Sequence, residues 1–186
     1  MSSTPAGYAA DEWTQIRQAP LLMGLVVVTA SPSGPVGLVK ELLAVGKLLS
    51  DVHTGDTPNE LVKALAADLA TPEARAQLRA PEFRGMSPEQ ARAQALEALR
   101  RVGALLDRKT TAAEAGGFKR WLLSVGERVA GAAKEGGFLG IGGTRVSERE
   151  TAALQDAAAA LGLPWPALGT DHEAARTAPP GTTLAQ

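Results

Sequence analysis

Residues 121–162, WLLSVGERVAGAAKEGGFLGIGGTRVSERETAALQDAAAALG, constrain the fold more than any other stretch. They spell a helix, a glycine-rich break and a second helix. With Phe118 just before the stretch, Trp121, Leu122, Val125 and Val129 recur at helical spacing and make one apolar face. Lys119, Arg120, Glu127 and Arg128 fall mostly off it. Ala130, Gly131, Ala132 and Ala133 follow, small enough for a neighbouring helix to approach closely. The helix is expected to stop near Gly136 and Gly137, because glycine accepts the left-handed conformation of many helix ends. The second helix opens at Ser147, a good N-cap. Glu150 stands three residues on, which is the capping-box spacing. Glu148 and Glu150 also suit the positive end of the helix dipole. Leu154, Ala157, Ala158 and Leu161 mark its inner face, and Gly162 with Pro164 ends it.

The break itself, GGFLGIGGT at 136–144, invites a phosphate-binding reading that fails. Gly137 and Gly142 have P-loop spacing, but Gly143 and Thr144 stand where lysine and then serine or threonine are required, and no strand precedes them. The dinucleotide fingerprint fails as well, with Arg145 at the third glycine position. Two readings remain. Phe138, Leu139 and Ile141 fold back onto the core, or they form an exposed apolar tip that docks on a partner or a membrane surface.

At 186 residues the natural count is one domain. Alanine, the best helix former, is abundant, and β-branched and aromatic runs are scarce. The expected fold is all-α: a single-domain bundle of six to eight helices over 11–163. Residues 1–10 are expected to be frayed and 164–186 to be a flexible tail pinned by Trp165. There are 19 basic and 20 acidic residues, which argues against a nucleic-acid partner. The absence of cysteine excludes disulfides and thiolate chemistry and fits a cytoplasmic setting. The most apolar run, 20–30, is too short for a membrane span of about 20 residues. Asp11 and Glu12 precede it where a signal peptide is basic.

In chain order, a short helix is expected over 11–18, with Trp13 and Ile16. A helix over 20–30, buried on all sides, should follow, with a short strand at Val26, Val27 and Val28 as the minority alternative. SPSGP at 31–35 breaks the chain. A helix over 35–51 carries Leu38, Leu42, Val45 and Leu49. Three helices then start alike, at Thr57-Pro58, Thr71-Pro72 and Ser87-Pro88, each with early acids. The first carries Leu61, Leu65 and Leu69, and the second, over 72–79, belongs on the surface. The third runs over 88–109 with Leu96, Leu99, Val102 and Leu106 inside and Glu97 paired to Arg101 outside.

No catalytic constellation emerges. His53 and His172 have no histidine at i+3 or i+4, and there is no His-Glu-x-x-His, no Glu-x-x-His pair and no nucleophile elbow. Asp51, His53 and Asp56 share a loop but match no complete ligand set. The halves read as a loose repeat: Trp13 and Trp121 each open an apolar helix that ends at a glycine-containing break.

The second half resembles the tellurite-resistance TerB-type helical domain. The resembling residues are RVAGAAKEGG at 128–137, VSERE at 146–150 and the apolar helix end from Ala157 to Gly162. The resemblance covers about 40 residues. It implies an all-helical fold, a role in bacterial stress response, membrane-associated partner complexes and metal binding through acidic interhelical residues. Here the acids near the loop are Glu135, Glu148 and Glu150, the candidate ligands for a divalent metal ion. The first break, 31–35, contains no acid. The resulting expectation is a non-enzymatic interaction or scaffold protein with no cofactor. It contacts a protein partner, a second copy or a membrane surface through Phe138, Leu139 and Ile141. The alternative is a metal- or small-ligand-binding helical protein.

Overall fold

A computed structural model describes residues 4–30, 59–77, 85–135 and 147–164. Within them six α-helices follow a short 3-10 turn at Pro5–Gly7: α1 (Ala10–Val28), α2 (Glu60–Leu69), α3 (Pro72–Gln77), α4 (Pro88–Lys109), α5 (Ala112–Glu135) and α6 (Glu148–Ala160). The described residues contain no strand, and the fold is all-α as expected. The expected helix over 35–51 lies outside the described residues.

Four helices make the body. α1 packs on α4, α5 and α6, and α6 also packs on α4 and α5. Their directions follow from cross-links at each end. Lys109 of α4 meets Glu12 at the start of α1, so the two run antiparallel. Only Thr110 and Thr111 separate α4 from α5, which turns them into a hairpin. Thr110 is buried and its hydroxyl donates to the Leu106 carbonyl, while the Thr111 hydroxyl accepts from the Glu114 N–H and caps α5. Gly126 in the middle of α5 touches Leu154 of α6 and Met23 of α1 at once. A Cβ there would stand 2.8 Å from Leu154 Cδ2 and 3.0 Å from Met23 Sδ, so the missing side chain is what lets the three helices meet.

The core is the set of inner faces read from the periodicity. Phe118, Leu122, Val125 and Val129 of α5 are buried, as are Leu99, Val102, Leu105 and Leu106 of α4 and Leu154, Ala157, Ala158 and Leu161 around α6. Trp121 and Leu96 are only partly buried, each at the edge of its face. α2 lies across the N-terminal parts of α5 and α1. Its cap, Asn59, accepts from the Val62 N–H and donates to the Glu114 carbonyl. The Glu114 carboxylate accepts the Leu61 N–H at 2.7 Å. At the other end of α2, Asp68 accepts from Trp13 Nε1 and Arg17 Nε. α6 closes with a Schellman turn: the Leu163 N–H donates to Ala158 and the Gly162 N–H to Ala159, with Gly162 at φ +72°.

Three expectations at the N-terminus need correction. The helices over 11–18 and 20–30 are one helix, with Pro20 inside it. Proline removes one ladder bond and normally costs about 3 kcal/mol in a helix interior. Ile16, Ala19, Met23 and Gly24 are all buried around it, so core contact on both sides holds the helix through the defect. Val26, Val27 and Val28 are accordingly helical, and Leu21, Leu25 and Val28 are only partly buried rather than enclosed. Residues 1–10 are not frayed throughout: Pro5–Gly7 form a turn and Tyr8 is buried against Trp13.

Gly126→Val should overpack the α1–α5–α6 junction and lower the unfolding free energy by about 1–3 kcal/mol in urea titration. Gly131, also on α5, is exposed, and a Cβ added there would meet nothing within 4 Å among the described residues. Gly131→Ala should therefore raise stability, by about 0.4–1 kcal/mol in the same titration.

Candidate functional site

The antiparallel arrangement gathers the C-terminal ends of α1 and α5 and the N-terminal ends of α4 and α6 at one end of the body. α5 ends at Glu135 and α6 begins at Glu148 at this end. A groove of about 540 Å³ opens here, lined by Thr29, Ala30, Ala93, Leu96 and Ala152, with Glu89, Arg92, Arg149 and Asp156 as its charged rim.

Each rim residue is placed by its helix. Ser87 caps α4 by accepting from the Gln90 N–H, and Gln90 accepts in return from the Ser87 N–H. The Ser87 hydroxyl donates to Glu89 at 2.8 Å, and this bond, with the backbone at Glu89, holds the Glu89 carboxyl below its usual range. Arg92 of α4 is ion-paired to Asp156 of α6, which ties the two parallel helices across the groove. Arg149 is exposed and forms no ion pair among the described residues. Among those residues the rim thus offers one free guanidinium, one paired guanidinium and two carboxylates beside Ala93, Leu96 and Ala152. That suits recognition of a polar or charged surface.

A second, smaller groove of about 360 Å³ lies between α1 and α4, lined by Gln15, Gln18, Gln94, Glu97 and Arg101. Glu97 pairs with Arg100 at 2.9 Å and with Arg101 at 3.8 Å, the second being the pair read from the sequence. On α5, burial alone raises the Glu127 carboxyl above its usual range.

Two of the three candidate metal ligands have described side chains. Glu148 is exposed, whereas Glu150 is buried at 3% exposure. One Glu150 oxygen accepts from the Ser147 N–H at 2.8 Å and from the Ser147 hydroxyl at 2.7 Å, so the capping box read from the sequence is its observed work. Glu135 is the last residue of α5, and its side chain lies outside the described residues. Among the described residues no group of three His, Asp or Glu is placed to hold a metal ion. Phe138, Leu139 and Ile141 also lie outside the described residues, as do His53 and His172. No helix among the described residues is long and apolar enough to cross a membrane.

Sequence reading missed several buried polar groups, Lys119 and Tyr8 among them. Lys119 is buried at 4% exposure, its ammonium held by both oxygens of Asp107 at 2.7 and 2.8 Å. The one available signal was their spacing of twelve residues across a two-threonine turn. At the opposite end from the groove, the Tyr8 hydroxyl is buried with no hydrogen-bond partner among the described residues. Burial first, and then the nearby charges of Glu114 and Glu12, push its pKa up to about 12. Glu12 itself is held low, first by the Lys109 hydrogen bond and then by the Ala9 N–H.

No family model, no curated protein and no solved structure matches this chain.

Ser147→Ala should lower stability by about 1 kcal/mol or more in urea titration, because it removes the cap and one partner of a buried carboxylate. Tyr8 is the chain's one tyrosine, so phenolate absorbance reports it alone. The folded protein should titrate near 12, and the protein in denaturant near the ordinary value of about 10. A raised folded pKa means the neutral phenol is favoured in the fold. Its contribution is therefore complete below pH 10 and is lost as pH rises toward 12.

Proposed function

We propose that this chain is a non-enzymatic helical interaction module of the cytoplasm, of the tellurite-resistance TerB type, acting in stress response through contact with a protein partner or a second copy. The contact end is the one where α5 hands over to α6 through the glycine-rich break. The observation that carries the reading is the groove at that end, in which Arg149 stands exposed, without an ion pair to any described residue, in a lining that also includes Ala93, Leu96 and Ala152. An unpaired arginine beside apolar surface is the composition from which interface anchors are made. Phe138, Leu139 and Ile141, inside the break that joins α5 to α6, supply the apolar tip of the same contact surface in this reading.

Changing Phe138, Leu139 and Ile141 together to Ser should leave far-UV helicity and the melting temperature near those of the parent. It should abolish self-association in sedimentation velocity, or co-flotation with anionic vesicles, whichever the parent shows. Unfolding of the triple variant would make these residues part of the core and defeat the proposal. A parent melting temperature that climbs on adding Mg²⁺, Mn²⁺ or Zn²⁺ would favour metal binding instead, by linkage.

A further inference from the structure

Two parallel helices form the walls of the groove. Arg92 of α4 is ion-paired to Asp156 of α6. Further along α4, Gly103 lies against Leu161 at the end of α6, so close that a Cβ on it would stand 3.3 Å from the Leu161 backbone. These two contacts fix the register of one wall against the other. Residues three, four and seven apart share a face of a helix, so each wall presents a short line of side chains. Glu89, Arg92 and Ala93 line the groove from α4, and Arg149, Ala152 and Asp156 line it from α6.

Charge runs in opposite order along the two walls. From its N-terminal end α4 carries a negative and then a positive group, Glu89 and Arg92. From its N-terminal end α6 carries a positive and then a negative one, Arg149 and Asp156. Glu89 and Arg149 are both exposed, and so are Ala93 and Ala152 one turn further on. Alanine at those positions lets another helix come close, since the side chains at a contact set the distance between helix axes.

A two-fold contact lays one patch against itself, so it is attractive only where the patch carries opposite charges on the two sides of the axis. This groove meets that condition. A two-fold axis along the groove lays α4 of each copy over α6 of the other, in the register that Arg92 and Asp156 show within one copy. Glu89 of each copy then faces Arg149 of the other, and the contact is made twice. A uniformly acidic or basic partner would instead meet repulsion on one wall for every attraction on the other.

We propose that the groove between α4 and α6 is the contact surface of a homodimer, closed by Glu89 of each copy on Arg149 of the other. This rests on the contact-module reading above and names its partner as a second copy of this chain.

Sedimentation velocity of the full chain over a concentration series, at low and at high salt, tests it. The parent should dimerise, and less tightly as salt rises, because exposed charges are screened. Arg149→Glu and Glu89→Arg each turn both attractive contacts of the dimer into repulsive ones. Either alone should raise the dissociation constant about tenfold or more, with far-UV helicity unchanged. An equimolar mixture of the two variants restores opposite charges at both contacts, so it should dimerise about as tightly as the parent. A parent that stays monomeric, a dimer indifferent to both reversals, or a mixture no tighter than its components would each overturn the proposal. A dimer lost when Phe138, Leu139 and Ile141 are changed to Ser, yet indifferent to both reversals, would overturn this pairing while the contact-module reading stands.

Discussion

The structure depends on the burial of α1. Ile16, Ala19, Met23 and Val26 have no exposed surface, and α4, α5 and α6 all pack on this helix. Where α1, α5 and α6 come together, at Met23, Gly126 and Leu154, the missing side chain of glycine sets the distance between helices. A helix so enclosed tolerates a defect that would end an exposed one, which is why Pro20 sits inside it. Burying Trp13, Ile16, Leu22, Met23, Val26 and Val27 at about 1.5–3 kcal/mol each outweighs the roughly 3 kcal/mol that an interior proline costs.

Enclosing α1 also sorts the molecule into two ends. One receives the C-terminus of α1, the N-termini of α4 and α6 and both attachments of the glycine-rich break. Its described surface includes a groove of mixed charge whose lining also holds Ala30, Ala93, Leu96 and Ala152. The other end is held by polar bonds between elements far apart in sequence: Glu114 to α2, Asp68 to Trp13 and Arg17, Glu12 to Lys109. The groove end keeps Arg149 exposed and without an ion pair to any described residue.

Much of the body was legible in the sequence, because helical periodicity is a local signal. The inner faces of α4, α5 and α6, the Ser87 and Ser147 caps and the Gly162 stop each follow from residues within a turn or two. What failed was set by tertiary packing. Pro20 reads as a helix boundary unless its burial is known. Tyr8 reads as part of a polar terminus unless Trp13 is known to face it. Lys119, between Phe118 and Arg120, reads as a solvated charge until the α4–α5 turn brings Asp107 to it. The site was legible only in part. The sequence located the hairpin end and gave Glu150 its capping role, but Arg92, Arg149 and Asp156 come together only through the parallel packing of α4 and α6.

If the carboxylates at the hairpin are caps and ion-pair partners, and the chain is a contact module, the purified protein carries nothing that a chelator removes. Native mass spectrometry before and after chelation tests that claim most directly. The expected result is the mass of the bare chain or a whole multiple of it, unchanged by chelator. A further mass that leaves on chelation or denaturation would contradict the claim and turn attention to a metal at the hairpin acids or a ligand held between helices.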